Sequence, residues 1–426
     1  MFSFWVGDWG FMKENLGGCK RIVVKYGGSS LADHERMLRA VAAVVKEAER
    51  GTRIAVVVSA MGNTTDVLLH TARNVFNGKV DKRELDDILS MGERTSIRIF
   101  AAALKTNGVE SRYFDPLDDD WPIITDDHFS NANPLLDECE RRIQKYVLPL
   151  IERNIVPVIA GFVGRTVDGK ITTLGRGGSD TTAFILASAL KADEVILVTD
   201  VDGIMSADPK LVKNVRKIQE IDINTLVGLA DSGAKFIHSK ALKYKPPSIN
   251  VRVINHADGN LDREGTLISG ALSTELDVAI VSPIPVASIT VVGRGILKNS
   301  SLMHELSEKA RAYPLLYWLS SDGDSMIFYV GDGENLKMLL NEVHETILKH
   351  REVIAMSVKR GLAFLRVNGV GLEEKYGVIG KISEELRINE VNIFGISTIT
   401  SSILLFVDWN EREKALSLIK DSLRGH

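Results

Sequence analysis

The chain has 426 residues, too many for one compact core, so a large domain with one or two smaller ones is expected. With 45% hydrophobic and 25% charged residues, disordered and low-complexity classes are excluded. A net charge of −4 gives no overall attraction to nucleic acid or to an anionic membrane, so any anionic ligand must be held by a local cluster of basic groups and amides. Residues 1–19, containing MFSFWVGDWGFMKENLGG, are apolar but broken by Asp8 and glycines. The run is a poor signal peptide and too short to span a membrane, so we expect an N-terminal extension, with Met12 as an alternative start. Cys19 and Cys139 have neither metal-ligand nor disulfide spacing, which fits a reducing cytoplasm.

In chain order, the β-branched run Arg21 to Tyr26 predicts a strand ending in glycines, and Asp33 to Arg50 has helical spacing with Gly51 just past its end. The alternation continues with a strand at Ile54 to Val58, a helix at Arg83 to Lys105 and a strand at Val156 to Ala160. A second glycine loop then opens a helix at Asp180 to Leu190, and a strand follows at Val195 to Val198. This is an α/β domain over residues 20–270, a mainly parallel open sheet covered on both faces, with ligands expected at the carboxyl ends of the strands. Beyond Ser273 the rhythm changes to strand, helix, strand, strand, helix, strand, and a second copy starts near Leu362. Leu306-Ser307-Glu308 with Met326 to Val330 parallels Ile382-Ser383-Glu384 with Ile403 to Val407, which reads as an internal duplication or as chance likeness between two amphipathic helices. The copies are expected at 287–358 and 359–426. The second ends directly after its helix and lacks a last strand, which Asp277 to Ser282, within a linker at 271–286, could supply.

Two nucleotide motifs are excluded first. Gly164 to Lys170 follows a P-loop until Ile171, where a Ser or Thr should bind magnesium, and a strand-like run follows it in place of a helix. No G-x-G-x-x-G occurs, zincin and EF-hand spacings are absent, and the nine His are scattered. What remains is KYGGSS, Lys25 to Ser30, where adjacent glycines let the backbone approach a phosphate and the lysine adds charge. Taken alone it reads equally as a plain turn. GRGGSD, Gly175 to Asp180, offers similar amides at a helix start plus Arg176, whose planar fork suits a carboxylate; its bland reading is a turn with a surface Arg.

Together the two loops are more specific, and the sequence resembles the amino-acid kinase superfamily, in particular aspartate kinases. VVKYGGSS resembles that family's first-strand signature, with Tyr26 for the usual Phe and Ser29 for the usual Thr. VVVSAMGNTTD (Val56 to Asp66), MGERTS (Met91 to Ser96), TTLGRGGSDTTA (Thr172 to Ala183), TDVDGIMSADP (Thr199 to Pro209) and GAK (Gly233 to Lys235) follow in the family's order. The resemblance covers nearly the whole chain. It implies a three-layer catalytic fold and a tail of two ACT units, small βαββαβ folds that bind amino acids, one inserted into the other.

By that resemblance the enzyme transfers the γ-phosphoryl of ATP to the β-carboxylate of L-aspartate, with magnesium carried mainly by the phosphates and no metal held by the protein alone. An aspartate side chain with a pKa near ~4 is already ionised and needs no general base, so the site should hold cations. The resemblance places Lys25 and Lys235 at the transferring group and Gly27, Gly28 and Ser29 on phosphate oxygens. It pairs Arg176 with the substrate α-carboxylate and Glu93 with its ammonium, and puts Ser59, Thr65, Ser179 and Asp180 around them. Thr199, Asp200, Met205, Lys210 and Phe236 fall where the family binds ATP; Met205 replaces the usual Tyr. On composition alone Glu93 reads as an exposed helical glutamate and the lysines as solvated charges. In the tail, the resemblance implies a lysine or threonine effector near Asn392 and Ile393, and a homodimer or higher oligomer through the ACT units, while Ala312 to Leu315 departs from the family's pattern. No nucleic-acid or membrane partner is expected. The rivals are a sister kinase for N-acetylglutamate or a nucleoside monophosphate, and a non-catalytic amino-acid sensor.

Overall fold

β-branched residues set the first elements. Arg21–Tyr26 forms β1 and Arg53–Val58 forms β2, both buried almost throughout, as strands covered on two faces must be. The computed structural model describes residues 19–423 except 208–210, 232–236, 258, 271, 273–275, 312, 314, 322, 370–371, 373–376 and 400–401. The chain divides into two units between Leu272 and Ser273.

In the first unit, α1 (His34–Glu49) separates β1 from β2 and starts at Asp33, whose carboxylate accepts from the Arg36 N–H. Next come α2 (Thr64–Val75), α3 (Lys82–Thr106), β3 (Ser111–Phe114), β4 (Ile124–Thr125), α4 (Leu136–Arg142) and α5 (Leu148–Glu152). They lead to β5 (Val156–Ala160), the β6–β7 pair (Val163–Thr166, Ile171–Thr173) and α6 (Gly178–Leu190). β8 (Glu194–Thr199), β9 (Glu220–Asp222), α7 (Ile223–Asp231), α8 (Ser239–Leu242), β10 (Asn250–Asn255) and β11 (Thr266–Ser269) complete it. The main sheet has the order β3-β5-β2-β1-β8-β10-β11-β9 and is parallel except where β11 joins β10. Side chains alternate across it: the Tyr26 hydroxyl donates to Ala40 O on α1 at 3.1 Å, while Lys25 points to Asp180 on α6. Helices therefore cover both faces, and α6 is buried nearly all round, as a central helix must be. The near-P-loop is the turn of the β6–β7 hairpin, where Gly169 N–H donates to Thr166 O at 3.0 Å, and so makes no nucleotide cradle.

In the second unit, β12 (Asp277–Ile280) and β13 (Val286–Gly293) precede α9 (Ser300–Arg311), β14 (Leu315–Ser321), β15 (Ser325–Gly331) and α10 (Leu336–Ile347). The 16-residue β16 (Val353–Asn368) follows, then α11 (Val378–Ile388), β17 (Gly395–Ile399), β18 (Ser402–Asp408) and α12 (Arg412–Leu423). All seven strands join one sheet in which β16 is shared: its first half pairs β13, and its second half pairs β18 and β12. The βαββαβ pattern thus occurs twice, β12 taking the place of the second copy's last strand. Each copy has its own core under its helices, one around Leu302, Leu306, Phe328 and Val343, the other around Leu365, Ile382, Leu405 and Ile419. On the opposite faces Tyr329 stacks on Phe406 at 3.6 Å between ring centroids, joining the copies. Among the described residues no helix is long and apolar enough to cross a membrane.

Candidate active site

The loops that follow β1, β2, β5 and β8 meet at the carboxyl ends of the parallel strands. After β1, Gly28–Leu31 forms a single 3₁₀ turn. A Cβ on Gly28 would lie 2.8 Å from Ala60 O and 3.0 Å from Gly62 O, so the loop can seat against the end of β2 only as glycine. The Gly27 N–H donates to Val198 O at 3.2 Å and the Ser30 hydroxyl to the same oxygen at 3.1 Å. Gly27 is therefore a strut to β8, and the amides left for an anion are those of Gly28 and Ser29. After β5, a Cβ on Gly161 would stand 2.7 Å from the Ser179 side chain, which brings the start of α6 onto the strand end. Ser179 Oγ there accepts from Ser59 Oγ at 2.9 Å.

Lys25 Nζ lies 2.6 Å from Asp180 Oδ1, with the two side chains only 16% and 12% exposed, at angles that make this an ion pair rather than an aligned hydrogen bond. The solvated-charge reading of Lys25 is overturned. α6 begins at Gly178, two residues before the predicted start, because Gly177 at φ +74° turns the chain in the left-handed region, and this puts Ser179 and Asp180 in the first turn. Arg176 is exposed and has no hydrogen-bond or ion-pair partner among the described residues.

Glu93 corrects the reading from composition most sharply. It is 3% exposed on α3, and Gly92 explains how: a Cβ there would be 2.7 Å from the Ala60 Cβ, so only glycine lets the helix approach the β2 loop this closely. Glu93 Oε1 then accepts from the Ala60 N–H at 3.1 Å, while Oε2 is buried without a partner. Desolvation raises the Glu93 pKa to about 7. Thr65 is half-buried in the first turn of α2.

At the end of β8, Thr199 Oγ1 donates to Asp200 Oδ1 at 3.1 Å. Met205 is half-buried and bridges to Lys217 through the backbone, and Asp202, accepting from Asn255 Nδ2 (3.0 Å) and Arg263 (2.9 Å), braces that loop. Lys210, Lys235 and Phe236 lie outside the described residues. Asn392 is exposed and Ile393 packs on the second copy's core, both in the second unit.

Three residues near the site escaped sequence reasoning. Phe162 holds φ +67°, unusual for a side chain of its size, and its carbonyl accepts from Leu174 N–H at 2.8 Å. Lys240 Nζ donates to Asn131 Oδ1 (2.6 Å), Leu174 O (2.7 Å) and Ala132 O (3.2 Å). Asp86 is buried on α3, and its signal is readable: it shares a helical stripe with Leu89, Ser90, Glu93 and Ile97, a carboxylate where an apolar residue belongs.

Residues 20–255 match the amino acid kinase family. The aspartokinase of Bacillus sp. (strain MGA3) is 32% identical over 409 residues, covering 93% of this chain and 96% of that protein. The crystal structure of aspartate kinase from Synechocystis superposes with a TM-score of 0.73 at 26% identity, over 94% of this chain and 69% of that one. The fold also matches E. coli aspartokinase III, solved with aspartate and ADP, at a TM-score of 0.54, 23% identity and coverage of 95% and 100%. The same enzyme has been solved with lysine and aspartate. Strand-end glycine loops, a helix start turned by Gly177 and these likenesses agree: the chain belongs to the amino acid kinase family and, within it, to the aspartokinases, which phosphorylate aspartate at the expense of ATP.

Proposed function

We propose that Glu93 and Arg176 hold the two ends of L-aspartate while Lys25 carries charge at the transferring phosphoryl group. The observation that carries this reading is Glu93 Oε2, a buried oxygen with no partner in a carboxylate otherwise bound only by an amide. A buried charge needs a counter-charge, and an α-ammonium supplies one. N-acetylglutamate and UMP have no ammonium, so the same pocket disfavours both. Arg176, exposed and unpaired at the start of α6, takes the α-carboxylate.

The β-carboxylate is already an anion, so the reaction needs no base, and the problem is to bring two anions together in line. Lys25, held by Asp180, neutralises oxygen charge as the phosphoryl group passes, and the Gly28 and Ser29 amides hold phosphate oxygens. Lys235 is assigned the second cationic role by family likeness, and Thr199, Asp200, Met205, Lys210 and Phe236 line the nucleotide side. Magnesium enters as its ATP complex, with phosphates as its main ligands. Comparing aspartate with succinate and N-acetylaspartate, which lack a free ammonium, tests the site: turnover confined to aspartate supports the reading, and equal turnover of succinate removes Glu93 from recognition.

For the tail we propose two ACT units, at 287–358 and 359–426 with the strand from 271–286, binding lysine or threonine near Asn392 and Ile393. E. coli aspartokinase III, of the same fold, has been solved with lysine. Edge strand β17 exposes Ile396 (40%) and Ile399 (45%), which favours assembly with a second copy of this chain. Two lone cysteines, Cys139 being buried, suit a cytoplasmic enzyme.

A further inference from the structure

We propose that Asp86 is a positioning residue for aspartate: it ties the Arg176 loop to the helix that carries Glu93, and so sets the separation between the two groups that grip the substrate. The inference rests on the roles given to Glu93 and Arg176 above.

Asp86 stands seven residues before Glu93 on α3, about two turns along the same face. It is 0% exposed. Its two oxygens accept four hydrogen bonds: from Ser130 N–H (2.7 Å), Ser130 Oγ (3.2 Å), Thr173 N–H (2.9 Å) and Thr173 Oγ1 (2.8 Å). No cation is among these partners, and burial pushes its pKa up. An uncompensated carboxylate in the interior is costly, and an apolar residue would fill the stripe more cheaply. What the carboxylate adds is a fixed connection among α3, β7 and the segment at residues 126–134.

That connection ends at the substrate loop. Thr173 is three residues before Arg176, and the residues between are fixed one by one. Leu174 N–H donates to Phe162 O at 2.8 Å, and Leu174 O accepts from Lys240 Nζ at 2.7 Å. Gly175, at φ +73°, has no room for a side chain, since a Cβ would lie 2.7 Å from Asn131 Oδ1. Asn131 follows Ser130, which Asp86 grips at φ +70°, a conformation rare for a residue with a Cβ. Arg176 is thus an exposed side chain on a loop held by its neighbours' contacts. Of these fixings, Asp86 is the one that runs to Glu93's own helix.

Aspartate is short, so the groups that bind its carboxylate and ammonium must keep one spacing. Loosening the Asp86 link should raise the KM for aspartate and spare ATP binding, which uses the β1 and β8 loops. The test uses the full-length enzyme with Asp86→Asn, Thr173→Val and the double variant, measuring KM for each substrate, kcat and Tm. Each single change should raise the aspartate KM by about tenfold or more with the ATP KM within about twofold. The double variant should add little, because both changes cut one link. Thr173→Ser, which keeps the hydroxyl, should retain the normal KM. If Asp86→Asn does not fold, Thr173→Val carries the test alone. A lower Tm with an unchanged aspartate KM overturns the proposal and leaves Asp86 purely structural. Glu93→Gln and Arg176→Ala serve as controls: if they raise the aspartate KM and the Asp86 and Thr173 changes do not, this proposal fails alone, and if none does, the site reading fails with it.

Discussion

Replacing Glu93 by Gln should make the aspartate-free protein more stable and the enzyme a poorer binder of aspartate. Burial raises the folded pKa of Glu93 from 4.5 to about 7, so the folded state holds the proton more tightly than the unfolded chain. The folded state is therefore favoured below the unfolded value, and stability is lost as pH rises from 4.5 to about 7, amounting to about 3 kcal/mol at completion. Gln resembles the protonated form and avoids that loss, so above neutrality Glu93→Gln should unfold at higher denaturant concentration than wild type. Aspartate reverses the balance, because its ammonium favours the ionised side chain. Losing that charge-assisted bond should weaken aspartate binding by about 1.5 to 3 kcal/mol, roughly tenfold to 150-fold in KM, with ATP affinity unchanged. The same proton predicts a pH profile. In wild type, kcat/KM for aspartate should be half-maximal near pH 7 and fall about tenfold per pH unit below it, while the variant stays flat in that range. Initial rates of ADP release with aspartate varied at each pH, and urea melts of the aspartate-free protein, read both effects. A variant that is less stable at pH 8 and still pH-dependent would refute the reasoning.

Lys25→Ala should lower kcat by about two to three orders of magnitude with little change in the aspartate KM, since its charge matters most while the phosphoryl group is in flight; steady-state kinetics read the split. Gly28→Ala forces a Cβ to 2.8 Å from Ala60 O and should cost about 1 to 3 kcal/mol of stability, measured by denaturant titration. Lysine or threonine should inhibit the full-length enzyme and raise its Tm, and substitution at Asn392 or Ile393 should relieve inhibition without changing uninhibited turnover; titrating each amino acid against both signals decides this.

The fold was readable because its strands are local and apolar: Arg21–Tyr26 and Val156–Ala160 coincide with their predicted limits. The repeated strand-helix rhythm of the second unit was readable for the same reason. What sequence could not carry was distance between remote residues. Lys25 and Asp180 are far apart along the chain, and nothing local tells that they pair. The burial of Glu93 depends on Gly92 meeting Ala60, a contact between two elements, so composition pointed to an exposed glutamate. Gly27 looked like half of a phosphate cradle, yet its N–H is taken by Val198 across the sheet. Asp86 is marked in sequence only as a carboxylate on an apolar stripe; its partners Ser130 and Thr173, like Lys240's partners at Asn131, Ala132 and Leu174, lie on remote segments that no local pattern links to it. The near-P-loop shows the converse: spacing alone resembled a cradle, and a strand after it made it a hairpin.

The most direct measurement is acyl-phosphate formation. Purified enzyme incubated with ATP, magnesium and hydroxylamine should yield a hydroxamate with L-aspartate and none with N-acetylglutamate, and should consume no ATP with UMP. Glu93→Gln should lose most of the product at low aspartate and recover it at high aspartate. A hydroxamate from N-acetylglutamate in place of aspartate, or UMP-dependent ATP consumption, would contradict the assignment of the buried carboxylate to the substrate ammonium.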